Sequence, residues 1–181
     1  MSRLRVFSEN DGDTPLATHD EHADISHALN AVGVRFERWA AAQPIEPGAS
    51  PEQVIAAYRA DIDRLMTENG YQTVDVISLT PDHPDRAMLR SKFLEEHRHA
   101  EDEVRFFVAG AGQFTLHIGD KVYDVLCEAG DLIGVPAGTP HWFDMGPQPY
   151  FVAIRLFINP AGWVADFTGN DIAQRFPRFA A

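Results

Sequence analysis

The second half of the chain is divided by glycine turns into short β-rich segments, and this pattern limits the folds open to it. The turns contain Gly110, Gly112, Gly119, Gly130 and Gly138. Short strands at regular spacing with tight glycine turns are typical of a β-barrel or a two-sheet jelly roll. The predicted strands are residues 104–109, 112–118, 121–127, 131–136 and 149–158.

The first half predicts a mixture of helices and strands. Ser50 is a good N-cap and is followed by Pro51, and Asn69-Gly70 supplies a stop, so one amphipathic helix is predicted between them. We expect one domain over residues 1–181, with an α/β portion at 1–92, a core at 93–160 and a C-terminal extension at 161–181. The other predicted elements are strands at 3–7, 34–39 and 71–79, helices at 20–31 and 86–94, and a loop at 44–50.

Composition excludes several classes of protein. The formal charge of −12 and the lack of a Lys/Arg cluster argue against a nucleic-acid partner, and acidity disfavours an anionic membrane surface. Cys127 is the single cysteine, so an intrachain disulfide and a thiolate metal cluster are excluded, and a small buried hydrophobe is the favoured interpretation. The N-terminal residues lack the apolar stretch of a secretory signal, and no apolar run is long enough to span a bilayer. We therefore expect a cytoplasmic protein.

The densest chemistry lies in residues 95–103. In an extended segment, residues two apart point to the same face, so His97 and His99 can converge on one ion, with Glu103 arriving from the next strand. His141 follows a Pro/Gly turn, and a barrel can bring it opposite the first pair. Three imidazoles and one carboxylate suit a divalent first-row metal and leave two positions of an octahedral ion open.

The other histidines have a plainer interpretation. A lone histidine is usually a surface residue or a core residue with satisfied hydrogen bonds. We apply that interpretation to His19, His22, His27 and His83, which lie in polar segments, and to His117, which lies in an ordinary barrel strand.

The spacing around these four residues resembles the paired motifs of the cupin superfamily, across roughly residues 91–145. His-x-His-x3-Glu-x6-Gly runs from His97 to Gly110, and Gly-x5-Pro-x-Gly-x2-His ends at His141. Two positions depart from the pattern, since Ser91 replaces the usual opening glycine and Met145 the usual closing asparagine. The resemblance implies a mainly β fold, a cupin-type double-stranded β-helix (jelly-roll) barrel with a few short helices.

Five stretches in and around these motifs narrow the resemblance, namely residues 33–39, 93–99, 101–106, 135–144 and 154–157. Together they resemble the acireductone dioxygenases of methionine salvage. That family is an enzyme family acting on 1,2-dihydroxy-3-keto-5-(methylthio)pentene and O2. Fe2+ leads to formate and 4-methylthio-2-oxobutanoate, and Ni2+ to formate, carbon monoxide and 3-(methylthio)propionate. The resemblance implies one Fe2+ or Ni2+ held by His97, His99, Glu103 and His141, and a monomer.

Further site residues are predicted from strand parity and the same resemblance. Arg105 lies two residues after Glu103, so it should face the interior, where a guanidinium would stabilise the substrate dianion. Glu96 and Asp102 flank the ligands. They are predicted as catalytic residues that influence metal loading or the shape of the loop. Arg155 is predicted either as a partner of one of these carboxylates or as a second substrate anchor. Aromatic residues predicted to line a pocket for the methylthio tail are Phe93, Phe107, Phe143 and Trp163.

Three alternatives share the metal set. Another cupin dioxygenase, acting on a β-diketone or a flavonol, would lack the contexts of Arg105 and Trp39. A Zn-dependent sugar-phosphate isomerase would need a basic phosphate pocket, whereas this chain has only scattered arginines near the site. A metal-binding sensor without chemistry would not need an inward arginine beside a chelating site.

Overall fold

Eleven strands and four α-helices form within residues 1–159, 161 and 164–180, which are the residues described by this computed structural model. The N-terminal elements are β1 Arg3–Ser8, β2 Ala17–His19, α1 His22–Asn30, β3 Arg35–Arg38, α2 Pro51–Ala57, α3 Arg59–Asn69, β4 Thr73–Leu79 and α4 Arg86–Phe93. They are followed by β5 His97–Arg98, β6 Glu103–Ile118, β7 Lys121–Glu128, β8 Asp131–Val135, β9 His141–Asp144, β10 Phe151–Phe157, β11 Asp166–Phe167 and a 3₁₀ helix at Ile172–Arg175.

The long strand β6 belongs to two antiparallel sheets. Its first half lies between β8 and β10 in a sheet of order β3-β8-β6-β10-β4. Its second half lies between β7 and β9 in a sheet of order β11-β5-β9-β6-β7-β1-β2. One buried core includes residues of both sheets, among them Phe107, Phe114, Val125 and Ile133. This arrangement confirms the predicted cupin-type jelly roll.

The prediction of two separate strands at 104–109 and 112–118 is wrong, because β6 bends at Gly110 without turning back. Gly110 has φ +73°, and a Cβ there would lie 1.9 Å from the carbonyl oxygen of Tyr150. The pairing of β6 with β10 also shifts register between Val152 and Ala153. The glycine therefore allows a close backbone approach and a left-handed conformation in the middle of a strand, as is common at bends and bulges.

The predicted helix after Ser50 is present as two helices. Ser50 and Gln53 form a reciprocal capping box at the start of α2, and Gly70 ends α3 in the left-handed region, so both predicted ends are confirmed. Tyr58 interrupts the helix, and its ring packs 4.6 Å from that of Phe106 on the underlying sheet. A second buried cluster forms there, between the helices and the outer face of the sheet.

Strands β2, β5, β9 and β11 are two to four residues long and were not predicted as strands. Such short segments have no recognisable alternation of their own and are held by their neighbours. Strand β5 pairs with β9 on one side and β11 on the other. None of the helices in the described ranges is long and apolar enough to cross a membrane.

Candidate metal centre

The centre is assembled on neighbouring short strands of one sheet. His97 of β5 lies directly opposite His141 of β9, and His141 lies directly opposite Leu116 of β6. Directly opposite residues of antiparallel strands place their side chains on the same face. Leu116 belongs to the core between the sheets, so both imidazoles face the barrel interior.

His99 and Glu103 complete the group from the connection between β5 and β6. His97, His99 and His141 each provide one ring nitrogen, and these three nitrogens all lie within 4.8 Å of one another. Oε2 of Glu103 is 2.8 Å from Nε2 of His141 and 3.1 Å from Nε2 of His99. All four residues are buried. The three imidazoles are therefore grouped closely enough that they could hold one metal ion.

Each of the three imidazoles uses Nδ1 to contact a backbone carbonyl. Nδ1 of His97 is 2.7 Å from the oxygen of Glu95, and Nδ1 of His141 is 2.8 Å from that of Thr139. Nδ1 of His99 is 3.4 Å from the oxygen of Val164. Because a carbonyl only accepts, each ring that makes this bond carries a hydrogen on Nδ1. An Nε2–H of His99 or His141 donates to Glu103, and displacement of this proton by a metal leaves a neutral ring with its lone pair on Nε2. That is the tautomer a metal ligand needs.

The buried donors differ in how readily they lose a proton. Burial lowers the pKa of His99, but the hydrogen bond and charge of Glu103 outweigh it and raise that pKa overall. Burial, assisted by the neighbouring His141, lowers the pKa of His97 to about 4. Burial raises the pKa of Glu103, but hydrogen bonds with His141 and His99 and the charge of Arg105 outweigh it and hold that pKa well below its ordinary value. The donor set thus fits a divalent first-row cation.

Arg105 faces the same interior as Glu103, as parity predicts. Its Nη2 lies 3.2 Å from Oε1 of Glu103, and its guanidinium lies 4.9 Å above the ring of Phe143 and 5.4 Å from that of Phe114. The Nε atom of Arg105 is buried and has no hydrogen-bond partner among the described residues. A buried donor without a partner is costly, so this atom is available to an acceptor on a bound molecule.

The predicted aromatic residues lie at different depths. Phe143 is buried beneath Arg105, and Phe93 is partly buried with its ring 6.3 Å from that of His97. Phe107 packs against Phe114 and Phe151 in the barrel core. Trp163 lies outside the described residues.

The carboxylates predicted around the site have well-defined partners. Oδ2 of Asp102 accepts a hydrogen bond of 3.0 Å from Tyr71, and Oδ1 accepts one of 2.9 Å from the backbone of Ala137. Asp102 therefore joins the first histidine motif to the turn before His141. Glu96 is buried against His117 and Thr168.

Arg155 is held by Asp75 through hydrogen bonds of 2.8 and 2.5 Å. The expectation that it pairs with Glu96 or Asp102 is not supported, since those carboxylates are bound to other groups. Arg155 lies directly opposite Arg105 in the sheet, so both arginines belong to the same face.

Several residues at this site were not predicted. Tyr71 positions Asp102, and Phe167 lies directly opposite His97 with the rings 5.8 Å apart. His117 lies in β6 with both ring nitrogens in contact with carboxylates, as expected of a histidine with satisfied hydrogen bonds, but its partners Glu96 and Glu9 were not predicted. No spacing rule connects these residues, because their contacts depend on how distant strands align.

Comparison with known proteins assigns the family. The model described as "ARD/ARD' family" matches residues 3–165. The chain is 62% identical over 179 residues to an acireductone dioxygenase of Xylella fastidiosa (strain 9a5c), covering 99% of this chain and 95% of that protein. It is 68% identical over 180 residues to an acireductone dioxygenase of Pseudomonas savastanoi pv. phaseolicola, covering 98% of each.

A solved structure supports the same assignment. An acireductone dioxygenase from Bacillus anthracis, with a cadmium ion in its active centre, superposes with a TM-score of 0.80 at 30% identity, covering 92% of this chain and 98% of that one. The chain therefore belongs to the ARD/ARD' family, together with these acireductone dioxygenases.

Proposed function

We propose that this protein is an acireductone dioxygenase that cleaves 1,2-dihydroxy-3-keto-5-(methylthio)pentene with O2 in methionine salvage. The observation that carries the proposal is the convergence of His97, His99, His141 and Glu103 beside a buried arginine with an unpartnered donor. The names of the similar proteins support it.

His97, His99, Glu103 and His141 would hold one Fe2+ or Ni2+. When bound, the ion supplies Lewis acidity that favours ionisation of a coordinated enediol. The carbonyl contacts of the three Nδ1 atoms orient the rings, so that their Nε2 atoms point toward the common centre.

Arg105 would bind the substrate dianion. Its guanidinium is fixed between Glu103 and the face of Phe143, so it needs little rearrangement to meet a negative oxygen. The free Nε donor is the group assigned to that oxygen. Arg155, on the same face and paired with Asp75, stays a prediction as a second substrate anchor, while Glu96 and Asp102 would maintain the segment that carries the ligands.

Phe93 and Phe143 would enclose the methylthio tail and exclude water from the reacting atoms, with Phe107 forming the floor behind them. Trp163 stays a prediction for the same pocket. A cytoplasmic, monomeric enzyme remains our expectation.

The metal would direct the products. We expect formate and 4-methylthio-2-oxobutanoate with Fe2+, and formate, carbon monoxide and 3-(methylthio)propionate with Ni2+. Imidazole and carboxylate donors accept both ions, so availability would decide which form operates.

The test uses protein stripped of metal and reloaded separately with Fe2+ or Ni2+, supplied with substrate with and without O2. The expected result is O2-dependent substrate loss with formate in both cases and carbon monoxide with Ni2+ alone. Lack of turnover with either loaded form would overturn the proposal, and turnover of a β-diketone or a flavonol instead would identify another dioxygenase.

A further inference from the structure

His117 lies between two carboxylates that come from distant parts of the chain. Its Nδ1 is 2.8 Å from Oε2 of Glu96, next to the predicted ligand His97. Its Nε2 is 2.9 Å from Oε2 of Glu9, in the loop after β1. Glu9 is partly exposed and Glu96 is buried, so the three groups extend from the surface to the edge of the metal centre.

These contacts define the charge of the imidazole. An ionised carboxylate only accepts hydrogen bonds, so both ring nitrogens of His117 must donate, and the ring must carry both hydrogens. Burial lowers the pKa of His117, but hydrogen bonds with Glu9 and Glu96 outweigh it and raise the pKa overall. The two contacts and the raised pKa both favour the imidazolium form of His117, in which each ring nitrogen donates to one carboxylate.

Glu96 needs hydrogen-bond partners because its side chain is only 3% exposed. A buried carboxylate is unfavourable unless it is paired and hydrogen-bonded. Its other oxygen, Oε1, accepts a bond of 2.7 Å from Oγ1 of Thr168. The backbone oxygen of Glu96 also accepts a bond of 3.1 Å from the amide of Thr168. Glu96 thus fastens the chain just after β11 to the residue before β5.

The fastened segment, residues 164–168, contacts two predicted ligands. Phe167 is paired with His97 across the sheet, and its ring lies 5.8 Å from the imidazole. The oxygen of Val164 lies 3.4 Å from Nδ1 of His99. Because β11 has only two residues, its pairing with β5 is a weak attachment by itself.

We propose that His117 is a positioning residue of the metal centre, which fixes the buried side chain of Glu96 by a hydrogen bond and thereby keeps residues 164–168 against His97 and His99. Its effect on the metal rests on the proposed function, whereas its effect on β11 does not. Loss of this hydrogen bond releases Thr168, uncovers His97 and removes the carbonyl that orients His99, so a bound ion leaves faster.

The first measurement is amide hydrogen exchange at Phe167 and Thr168 in the full chain, comparing wild type with His117→Gln. Glutamine retains a donor but not the charge. The second is the rate at which a chelator removes Ni2+ from the loaded proteins. A hydrogen bond to a charged group contributes enough that we expect both rates to rise about tenfold. The matched control is His27→Gln, on the exposed surface of α1.

A double-variant cycle separates positioning from a general loss of stability. If His117 acts through its contact with the side chain of Glu96, the change His117→Gln has little further effect on exchange or metal release in a Glu96→Gln background. An equally large effect in both backgrounds overturns the proposal. The proposal is also overturned if His117→Gln exchanges its β11 amides at the wild-type rate. It is likewise overturned if exchange is faster but Ni2+ is released at the wild-type rate.

Glu9→Gln provides the test if His117→Gln does not fold, since Glu9 lies at the surface end of the network. It weakens the hold on the imidazolium, so a smaller increase in exchange at Thr168 is expected, and unchanged exchange overturns the proposal. A wild-type chain that binds no Ni2+ would refute the proposed metal function and this role at the metal, while the exchange data would still decide the role at β11.

Discussion

Nε2 of His141 lies 2.8 Å from Oε2 of Glu103, although 38 positions separate the two residues in the chain. Glu103 begins β6, and His141 pairs with Leu116 near the other end of that strand. Thirteen residues of straight strand would place these ends roughly 43 Å apart. The contact is possible because β6 bends at Gly110 and passes from one sheet to the other.

Gly110→Ala should therefore be strongly destabilising. The new Cβ would lie 1.9 Å from the carbonyl oxygen of Tyr150, and the left-handed backbone alone costs about 1–2 kcal/mol for a residue with a side chain. We expect the free energy of unfolding, measured with urea, to fall by more than about 3 kcal/mol, since a backbone clash adds to this cost.

The matched control for that variant is Gly119→Ala. Gly119 also has positive φ, +62°, but no heavy atom lies within 4 Å of its added Cβ. Its free energy of unfolding should fall only by the cost of the left-handed backbone conformation, about 1–2 kcal/mol. Equal losses in the two variants would show that close approach at Gly110 is unimportant.

Glu103→Gln tests the carboxylate of the ligand set. The amide preserves shape and removes the negative charge that faces His141 and His99. Loss of a residue that only hydrogen-bonds to a metal ligand already lowers metal affinity about 10–100-fold. Because Glu103 is a predicted ligand itself, we expect Ni2+ affinity, measured by calorimetry, to fall at least about 100-fold. Glu95→Gln, on an exposed side chain nearby, should bind like wild type. Unchanged affinity in Glu103→Gln would remove Glu103 from the set.

Arg105→Lys tests the anchor for the dianion. Lysine keeps a positive charge but has no Nε donor and no planar group to lie on Phe143. We expect kcat/KM to fall about 10²–10³-fold, the usual effect of losing one preorganised donor to a developing anion, with Ni2+ affinity nearly unchanged. Arg98→Lys is the control, since that exposed side chain belongs to the same metal-binding segment. A full-rate Arg105→Lys enzyme would contradict the assignment.

Asp144→Asn should make the free energy of unfolding less dependent on pH in the acidic range. Arg90 donates two hydrogen bonds to Asp144, of 2.8 and 3.1 Å, which tie α4 to β9. Burial raises the pKa of Asp144, but the bond with Arg90 and two backbone amides outweigh it and lower the pKa below its ordinary value. The stabilisation is therefore present above the unfolded pKa of about 3.9 and is lost as pH falls through the folded pKa.

We expect Asp144→Asn to lose about 1.5–3 kcal/mol at pH 7 by urea unfolding, the range for hydrogen bonds to charged groups, and the gap from wild type to close below about pH 4. Asp63→Asn removes an exposed pair with Arg59 and should cost no more than about 0.5 kcal/mol. If the difference in free energy of unfolding between wild type and Asp144→Asn stayed constant down to pH 3, the ionisation of Asp144 would not be the source of this stability.

Local pattern in the sequence indicated a mainly β barrel or jelly roll, the predicted ends at Ser50 and Gly70, and the inward direction of Arg105. Each depends on residues close together in the chain, such as a capping pair, a glycine in a turn or the two-residue repeat of a strand. The histidine spacing likewise identified the four residues that the fold brings together.

Tertiary structure alone decided the bend of β6, the interruption at Tyr58 and the partners of the buried charges. Nothing near His117 in the sequence distinguishes it from a plain strand residue, and its role follows from Glu9 and Glu96, which lie 108 and 21 positions away. The same holds for Arg155 with Asp75 and for Tyr71 with Asp102. These contacts depend on sheet register and on where a bulge shifts it, and both are set by packing across the whole barrel.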